Sequence, residues 1–451
     1  MNKVRIGIVG VSGFGESHLK SIGWCAEQGL CELSAAVIRN PQKDAVKEQQ
    51  LSVKGVRIYR GYEAMFQQER GRLDLIAIPC GHDQHEILAV RALKAGYNVM
   101  CEKPAAGTLA EALRMRETAA ETGKILAIGY QNIYSPTIQA IKKYAVERKF
   151  GKLVSAKTYA LWSRSSAYYK RNAWAGKLTF AGNTIYDSPM QNACAHFLQN
   201  MLYVAGPTHH ESAEPVSVYM ENYHAKEIES ADTQFIRVHT ATGAKLTFIV
   251  SHSCDGMEGP VTEFHFQRGR IIWSNQTRME VQVKRGNGYD VVEKLENGSI
   301  PTHHLVFKNV CEAIQNGGTP LCTIDNAIQH VKCISNGFIS SNGVCDVASK
   351  YTTKKAVAKE SYNPDLDVTN EHNLVINGIE AAVKTMYAQE KSFYEMKLPW
   401  AKKSRIVVVA AEKKSAVKKI RGAQVKRTAV KKKKSTAPAA RRRKHGGRKR
   451  R

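Results

Sequence analysis

Val4-Arg5-Ile6-Gly7-Ile8-Val9-Gly10-Val11-Ser12-Gly13-Phe14-Gly15 decides the fold. An apolar run ends at Gly10, crosses a glycine-rich turn and gives way to helical spacing from about Gly15 to Gln28. A strand, a tight turn and a helix in this order bring backbone amides and the positive end of a helix to one point. That point suits a dinucleotide pyrophosphate. In a G-x-G-x-x-G register the middle glycine is Ser12, whose hydroxyl can donate to phosphate while its Cβ limits close approach. The same turn without a ligand is the plain alternative.

Working outward, Leu33 to Ile38 is a second apolar run, closed by Asn40-Pro41. Strands are expected at Leu73 to Pro79, Asn98 to Cys101 and Lys124 to Gly129. Helices fall between them at Gln84 to Ala95, stopped by Gly96, and at Leu109 to Thr122. Apolar strands alternating with helices give a doubly wound parallel sheet, covered on both faces, over residues 1–130. After a helix near Pro136 to Arg148, the period becomes two. Such runs occur at Leu153 to Leu161, Val216 to Met220, Thr233 to His239, Lys245 to Val250, Glu263 to Phe266, Ile271 to Ser274 and Glu280 to Val283. Helical segments lie around Asn192 to Val204, His303 to Gln315, Asp325 to Ile339 and Asn373 to Lys391. Residues 131–400 therefore read as an α+β domain with a large, mostly antiparallel sheet.

Charge separates a third region. The chain carries +27, but Lys402 to Arg451 holds 22 Lys and Arg against the single acid Glu412. Residues 401–451 cannot bury enough apolar surface to fold, and like charges keep them extended. With almost no aromatics, their expected mode is phosphate neutralisation, giving sequence-indifferent, salt-sensitive contact with nucleic acid. Acidic lipids, acidic proteins, a targeting role or no selected role are the alternatives. Ten scattered cysteines without a C-x-x-C pair or a ligand-spaced Cys/His cluster read as reduced thiols, with no metal site. No apolar run is long enough for a membrane span, and none resembles a signal peptide. The expected location is cytoplasmic, with nucleoid association through the tail.

At the end of the second strand, where a carboxylate usually takes the ribose hydroxyls of NAD, the chain has Ile38-Arg39-Asn40. Arg39 could pair with a 2′-phosphate, stack on adenine, or simply be a solvated cation. The cofactor is thus NAD(P), with a slight preference for NADP.

Several local marks occur in a telling order: Gly10 to Gly15 with His18 following, Ile78-Pro79 with His85 downstream, Ala95-Gly96 leading to Glu102-Lys103-Pro104, and Gly129-Tyr130-Gln131. In these the chain resembles the Gfo/Idh/MocA oxidoreductases, of the glucose–fructose oxidoreductase and inositol dehydrogenase type, from about Val4 to Trp400. The tail resembles those of linker-histone-like proteins. The family resemblance implies an enzyme that passes hydride between a nicotinamide and a CH–OH group of a small sugar or polyol. It places Gly10, Ser12, Gly13, Phe14, Gly15, Arg39, Pro79, His85, Glu102, Lys103 and Gln131 around the cofactor. Lys103 is the implied catalytic lysine, whose charge would steady a developing alkoxide. A surface salt bridge with Glu102 is the structural alternative.

Asn192 and His196 are spaced i, i+4, so both face one side of a helix. The resemblance makes His196 the proton acceptor or donor, in the pattern Asp-x-x-x-His-x-x-Asp. This chain departs from it, with Asn192 and Gln199 where carboxylates usually stand. Asp187 is an acid that could compensate, and His196 could equally be a core histidine. The resemblance also places a substrate-facing segment in the aromatic, polar loop Tyr168 to Lys177, nominating Tyr169, Arg171, Asn172 and Trp174 with Asn192 and His196. A loop packed on a domain surface is the alternative. Two further possibilities follow from the departures: NAD-assisted glycoside hydrolysis, and a catalytically silent ligand-binding body tethered to nucleic acid. A homo-oligomer, dimer or tetramer, paired through the open sheet is implied by the resemblance alone.

Overall fold

The computed structural model describes residues 2–357 and 367–410. The expected nucleic-acid tail falls almost wholly on 411–451, outside the described residues.

The first half is a parallel sheet of six strands: β1 (Val4–Val9), β2 (Cys31–Val37), β3 (Arg57–Tyr59), β4 (Leu75–Ile78), β5 (Asn98–Cys101) and β6 (Leu126–Ile128). Their order is β3-β2-β1-β4-β5-β6, all parallel. The strand order reverses at β1/β4, which opens a crevice at the carboxyl ends of these strands. Burial explains why the strands read as apolar runs: every residue of β4 and β6 is buried under flanking helices. The expected elements are present within a few residues. Arg57–Tyr59 is too short to give a period, yet it forms the sheet's edge. The helix at Leu109–Thr122 starts in a capping box, in which Thr108 accepts from Glu111 N and the Glu111 side chain returns to the Thr108 amide.

The second half is built on a sheet of ten strands: β7 (Leu153–Trp162), β8 (Pro215–His224), β9 (Thr233–Thr240), β10 (Lys245–Ser251), β11 (Met257–Phe266), β12 (Gly269–Ser274), β13 (Arg278–Arg285), β14 (Gly288–Glu296), β15 (Cys345–Asp346) and β16 (Val407–Val408). The order is β14-β13-β12-β11-β7-β10-β9-β8-β15, with β16 on β8. Pairings are antiparallel except β7 with β10 and β8 with β15. One face packs on the helices Ala195–Val204 and Ile324–Ser341, the first of which is buried along its whole length.

Three expectations are corrected. Residues 373–391 are not one helix, because His372–Ile376 is a strand paired antiparallel with Thr352–Ala356. Gly378, at φ 74°, then breaks the chain before the helix Ile379–Gln389. The helix expected from Asn192 begins at Ala195, so Asn192 lies in the turn before it. The tail does not begin at 401. Lys402 N and O both bond the Tyr223 hydroxyl, Arg405 N donates to Ser340 O, and Val407–Val408 extends the sheet. Basic residues here are held because their backbone, not their side chains, completes a sheet edge.

The remaining face of this sheet is covered by the chain itself over β7 to β10. Ile379, Val383, Met386, Phe393 and Trp400 form a second core with Tyr159, Leu161, Tyr223, Phe235 and Ile249.

Candidate active site

At the glycine turn, Gly10 and Gly13 sit at φ 99° and 58°, a region that favours glycine. A Cβ on Gly15 would lie 2.6 Å from the Gly10 carbonyl and 3.6 Å from Pro79 Cγ, so the turn closes tightly on the end of β4. The helix Phe14–Glu27 starts at Gly13 without a side-chain cap, leaving its positive end open. Ser12 Oγ does not point out as a free phosphate donor, because it donates to Asp44 Oδ1. This brings a carboxylate to the turn that no position at the end of β2 supplies. Arg39 is exposed there, near enough for its charge to act on the Cys80 thiol, which burial pushes up to about 12. Phe14 lies over His18 and His303, with ring centroids 5.9 and 5.7 Å away.

Lys103 follows β5 at the carboxyl end of the sheet. Its Nζ donates to Asn192 O at 3.1 Å and to Asn192 Oδ1 at 3.2 Å. Asn192 Nδ2 in turn donates to Asp187 Oδ1 at 2.8 Å, and Asp187 Oδ2 accepts from Gly176 N at 2.7 Å. Burial lowers the Lys103 pKa, while Glu102 and Asp187 pull it back up. Burial raises the Asp187 carboxyl against the pull of Arg171, whose Nη2 is 3.8 Å away. The surface salt-bridge alternative for Lys103 is excluded by this geometry. Glu102 is buried and accepts from Lys103 N at 3.1 Å, while its other oxygen meets His18 Nε2 at 3.0 Å. Gly129 makes room for it, since a Cβ there would lie 2.6 Å from Glu102 Oε1.

His196 is buried beside Tyr130, with centroids 5.7 Å apart, and its Nδ1 has no partner. Burial first, then the Lys103 charge, holds its pKa well below the usual value, so the imidazole is neutral. Gln199 points elsewhere: its Nε2 donates to Ser212 Oγ and Asn326 O, which makes it a packing residue of the helix. The position of the second family carboxylate is therefore outside the site.

The nominated loop divides. Arg171 lies 3.7 Å over the Tyr168 ring and reaches Asp187, and Trp174 packs on His82 at 4.7 Å. Tyr169 spends its hydroxyl on His252 Nδ1 at 2.9 Å, and Asn172 Oδ1 accepts from Trp174 N and Ala175 N, shaping the turn. His85 is also fully engaged, with Nδ1 at 2.7 Å from Pro104 O and Nε2 at 3.0 Å from Cys80 O. It ties the β4 end to the Lys103-Pro104 turn. Pro79 and Gln131 flank the crevice, with Gln131 Oε1 buried and without a partner.

His82 and His330 carry no motif, and Tyr130 stands in the Gly129-Tyr130-Gln131 mark without being among the expected site residues, yet all three belong to this cluster. His82 is buried, its pKa drawn down to about 3 by burial, and its Nε2 has no partner. Tyr130 stands between His196 and His330, and its hydroxyl is likewise unpartnered. The only sequence signal for His82 is its place directly after Gly81, four residues past the end of β4. Unpartnered polar groups this deeply buried call for a partner that a water, an ion or a ligand supplies. Together with the uncapped helix and the open glycine turn, they fit a dinucleotide at the crevice.

Residues 4–130 match the family model described as Oxidoreductase family, NAD-binding Rossmann fold. Residues 143–346 match Oxidoreductase family, C-terminal alpha/beta domain, of the same Gfo/Idh/MocA set. Levoglucosan dehydrogenase of Pseudarthrobacter phenanthrenivorans is 20% identical over 307 residues, 63% of this chain and 76% of that one. Inositol 2-dehydrogenase of Paracoccus denitrificans is 27% identical over 149 residues, 32% of this chain and 42% of its own. The WlbA dehydrogenase from Bordetella pertussis, solved with NADH and UDP-GlcNAcA, superposes with a TM-score of 0.61 at 21% identity. It covers 75% of this chain and 97% of its own, and at that identity the likeness establishes the fold.

Proposed function

Because this chain belongs to the Gfo/Idh/MocA oxidoreductase family, we propose that it interconverts a secondary alcohol and a ketone on a sugar, cyclitol or related polyol. The buried chain Lys103–Asn192–Asp187 at the end of β5 carries this reading. A bound NAD(P) supplies the two-electron acceptor or donor. Gly10, Ser12, Gly13, Phe14 and Gly15 would hold its pyrophosphate, with Pro79, Glu102, Lys103 and Gln131 along the crevice and His85 behind them. Arg39 favours NADP at the adenine ribose, while Asp44 on Ser12 weighs toward NAD.

Lys103 donates to the reacting oxygen and steadies the alkoxide as the C–H electron pair leaves. His196, kept neutral by burial, takes the hydroxyl proton at its free Nδ1. Arg171 and Trp174 orient the ring. Asn192 stands where a carboxylate is usual, and Asp187 restores the negative charge one hydrogen bond further out.

Titration of NADH and NADPH, followed by nicotinamide fluorescence, tests the cofactor end. Turnover of levoglucosan, myo-inositol and D-glucose by wild type and Lys103→Ala tests the rest. Saturable binding with turnover lost in the variant is expected; binding of neither nucleotide would overturn the reading.

Residues 411–451 we assign to non-specific nucleic-acid contact. Affinity of the full chain for duplex DNA should fall linearly in log–log terms with salt, and the slope should collapse on truncation after Ala410. An unchanged slope would remove the assignment. The expected dimer or tetramer is placed on the β11–β14 half of the sheet, where Tyr289, Val291 and Val292 are exposed; light scattering measures it. Among the described residues, no helix is long and apolar enough to cross a membrane.

A further inference from the structure

The family models end at residue 346, yet the described chain continues to 410 and folds back on the substrate loop. Strand His372–Ile376 is stitched to both walls of that loop. On one side, the Glu371 carboxylate accepts from Lys170 Nζ at 2.8 and 3.0 Å and from Ser166 Oγ, while His372 N donates to Ser166 Oγ at 3.1 Å. On the other, Ile376 N donates to Ser253 O at 2.9 Å. Asn373 Nδ2 joins the two sides, donating to Ser163 Oγ at 2.8 Å and Cys254 O at 2.7 Å. These walls carry the two partners of the Tyr169–His252 hydrogen bond.

The far end of the loop is held separately: Gly176 O accepts from Glu229 N and Ser230 N, and Lys177 Nζ meets Glu229. A cavity of about 440 Å³ lies between Tyr169 and Gly176 on one side and His372 and Leu374 on the other. Across that space, polar contacts with residues 371–376 tie down helix Ser166–Lys170, alongside the packing of Tyr168 and Tyr169 on His252. The helix leads directly into Arg171 and Gly176, which hold Asp187 and, through Asn192, Lys103.

We propose that residues 371–376 form a brace that sets the substrate loop, with Glu371 as its positioning residue. The proposal rests on the reading of Tyr169 to Trp174 as substrate-facing. Glu371 touches neither substrate nor cofactor; it acts through Ser166 and Lys170. Loss of its carboxylate releases one end of the loop while leaving the apolar cover of the sheet intact.

Hydrogen–deuterium exchange of the full chain decides this without any substrate. In Glu371→Ala, peptides spanning 166–177 should exchange about tenfold faster, the scale of one lost charge-assisted pair. Peptides of β1 and β4 should be unchanged. Glu371→Gln, which keeps one acceptor oxygen and the side chain's length but not its charge, should restore part of the protection. Among the three polyols named above, KM for the one turned over should rise about tenfold in Glu371→Ala at nearly constant kcat. Unchanged exchange at 166–177, or acceleration spread equally over β1 and β4, would overturn the brace. If no polyol is turned over while loop exchange responds as stated, the brace stands and the substrate reading fails.

Discussion

The two halves of the crevice are made of different materials. On the cofactor side, the site is mostly backbone: a glycine turn, an uncapped helix start and the ends of parallel strands, all set within one strand–helix unit. On the side proposed for the substrate it is side chains, brought from separate elements: Lys103 after β5, Asp187 and Asn192 from a turn, His196 from a helix, His82 and Trp174 from two loops. A backbone site tolerates changes of side-chain chemistry but not added bulk. A side-chain site tolerates small shifts of shape but not the loss of a charge, because each group's ionisation is set by its neighbours. Asn192 stands where the family resemblance implies a carboxylate, and Asp187 accepts a hydrogen bond from it.

The sharpest way to separate the halves is Lys103→Ala. Turnover should fall on the order of 10²–10³-fold or more, as when a donor to a developing oxyanion is removed, with NADH affinity held within a few-fold. If NADH binding is lost as well, the two halves are not independent. Gly15→Ala is the converse. Its Cβ would meet the Gly10 carbonyl at 2.6 Å, a clash of about 1–3 kcal/mol. NADH should then bind tenfold or more weakly in fluorescence titration, while kcat at saturating cofactor changes little.

Asp187→Asn gives a smaller, pH-dependent effect. Asp187 raises the Lys103 pKa, so its neutralisation lowers it. The limb of the rate profile on which Lys103 loses its proton should move to lower pH. An unmoved limb would break the link from Asp187 to Lys103.

The smallest effect concerns stability. His330 is buried, with its pKa drawn from 6.5 to about 4 by burial. A group depressed in this way is neutral in the fold and binds a proton mainly in the unfolded chain. It therefore costs stability progressively as pH falls from about 6.5 to about 4. At pH 5 the cost is about 2 kcal/mol. In His330→Gln, thermal denaturation should show a shallower fall of Tm between pH 7 and 5 than in wild type. A parallel fall would show that the histidine is not held neutral.

The same contrast explains what could be read along the chain. β1, the glycine turn and its helix are legible because their signals are local: an apolar run, glycines at positive φ and a 3.6-residue period. Lys103 and His196 are legible through neighbouring motifs. His82 and His330 are not, since nothing near them in sequence reports that a distant element buries them. His85 and Tyr169 mislead in the opposite sense: residue types suited to binding are consumed by Pro104 and Cys80 carbonyls and by His252. The segment 372–376 shows the limit of periodicity, because a short apolar run reads as helix or strand until a partner strand is present.

By itself the sequence determined the doubly wound first half, the largely antiparallel second half, the family and the separation of a basic end from the folded body. Each depends on periodicity, composition or contiguous motif, which a chain carries with it. Tertiary structure alone decided that Asp187 backs Asn192, that Gln199 points away from Lys103 and His196, that Ile379 to Trp400 cover the sheet, and that Glu371 and His372 meet the loop at Ser166 and Lys170. These are long-range contacts, fixed by which buried polar groups find partners once the apolar faces have closed.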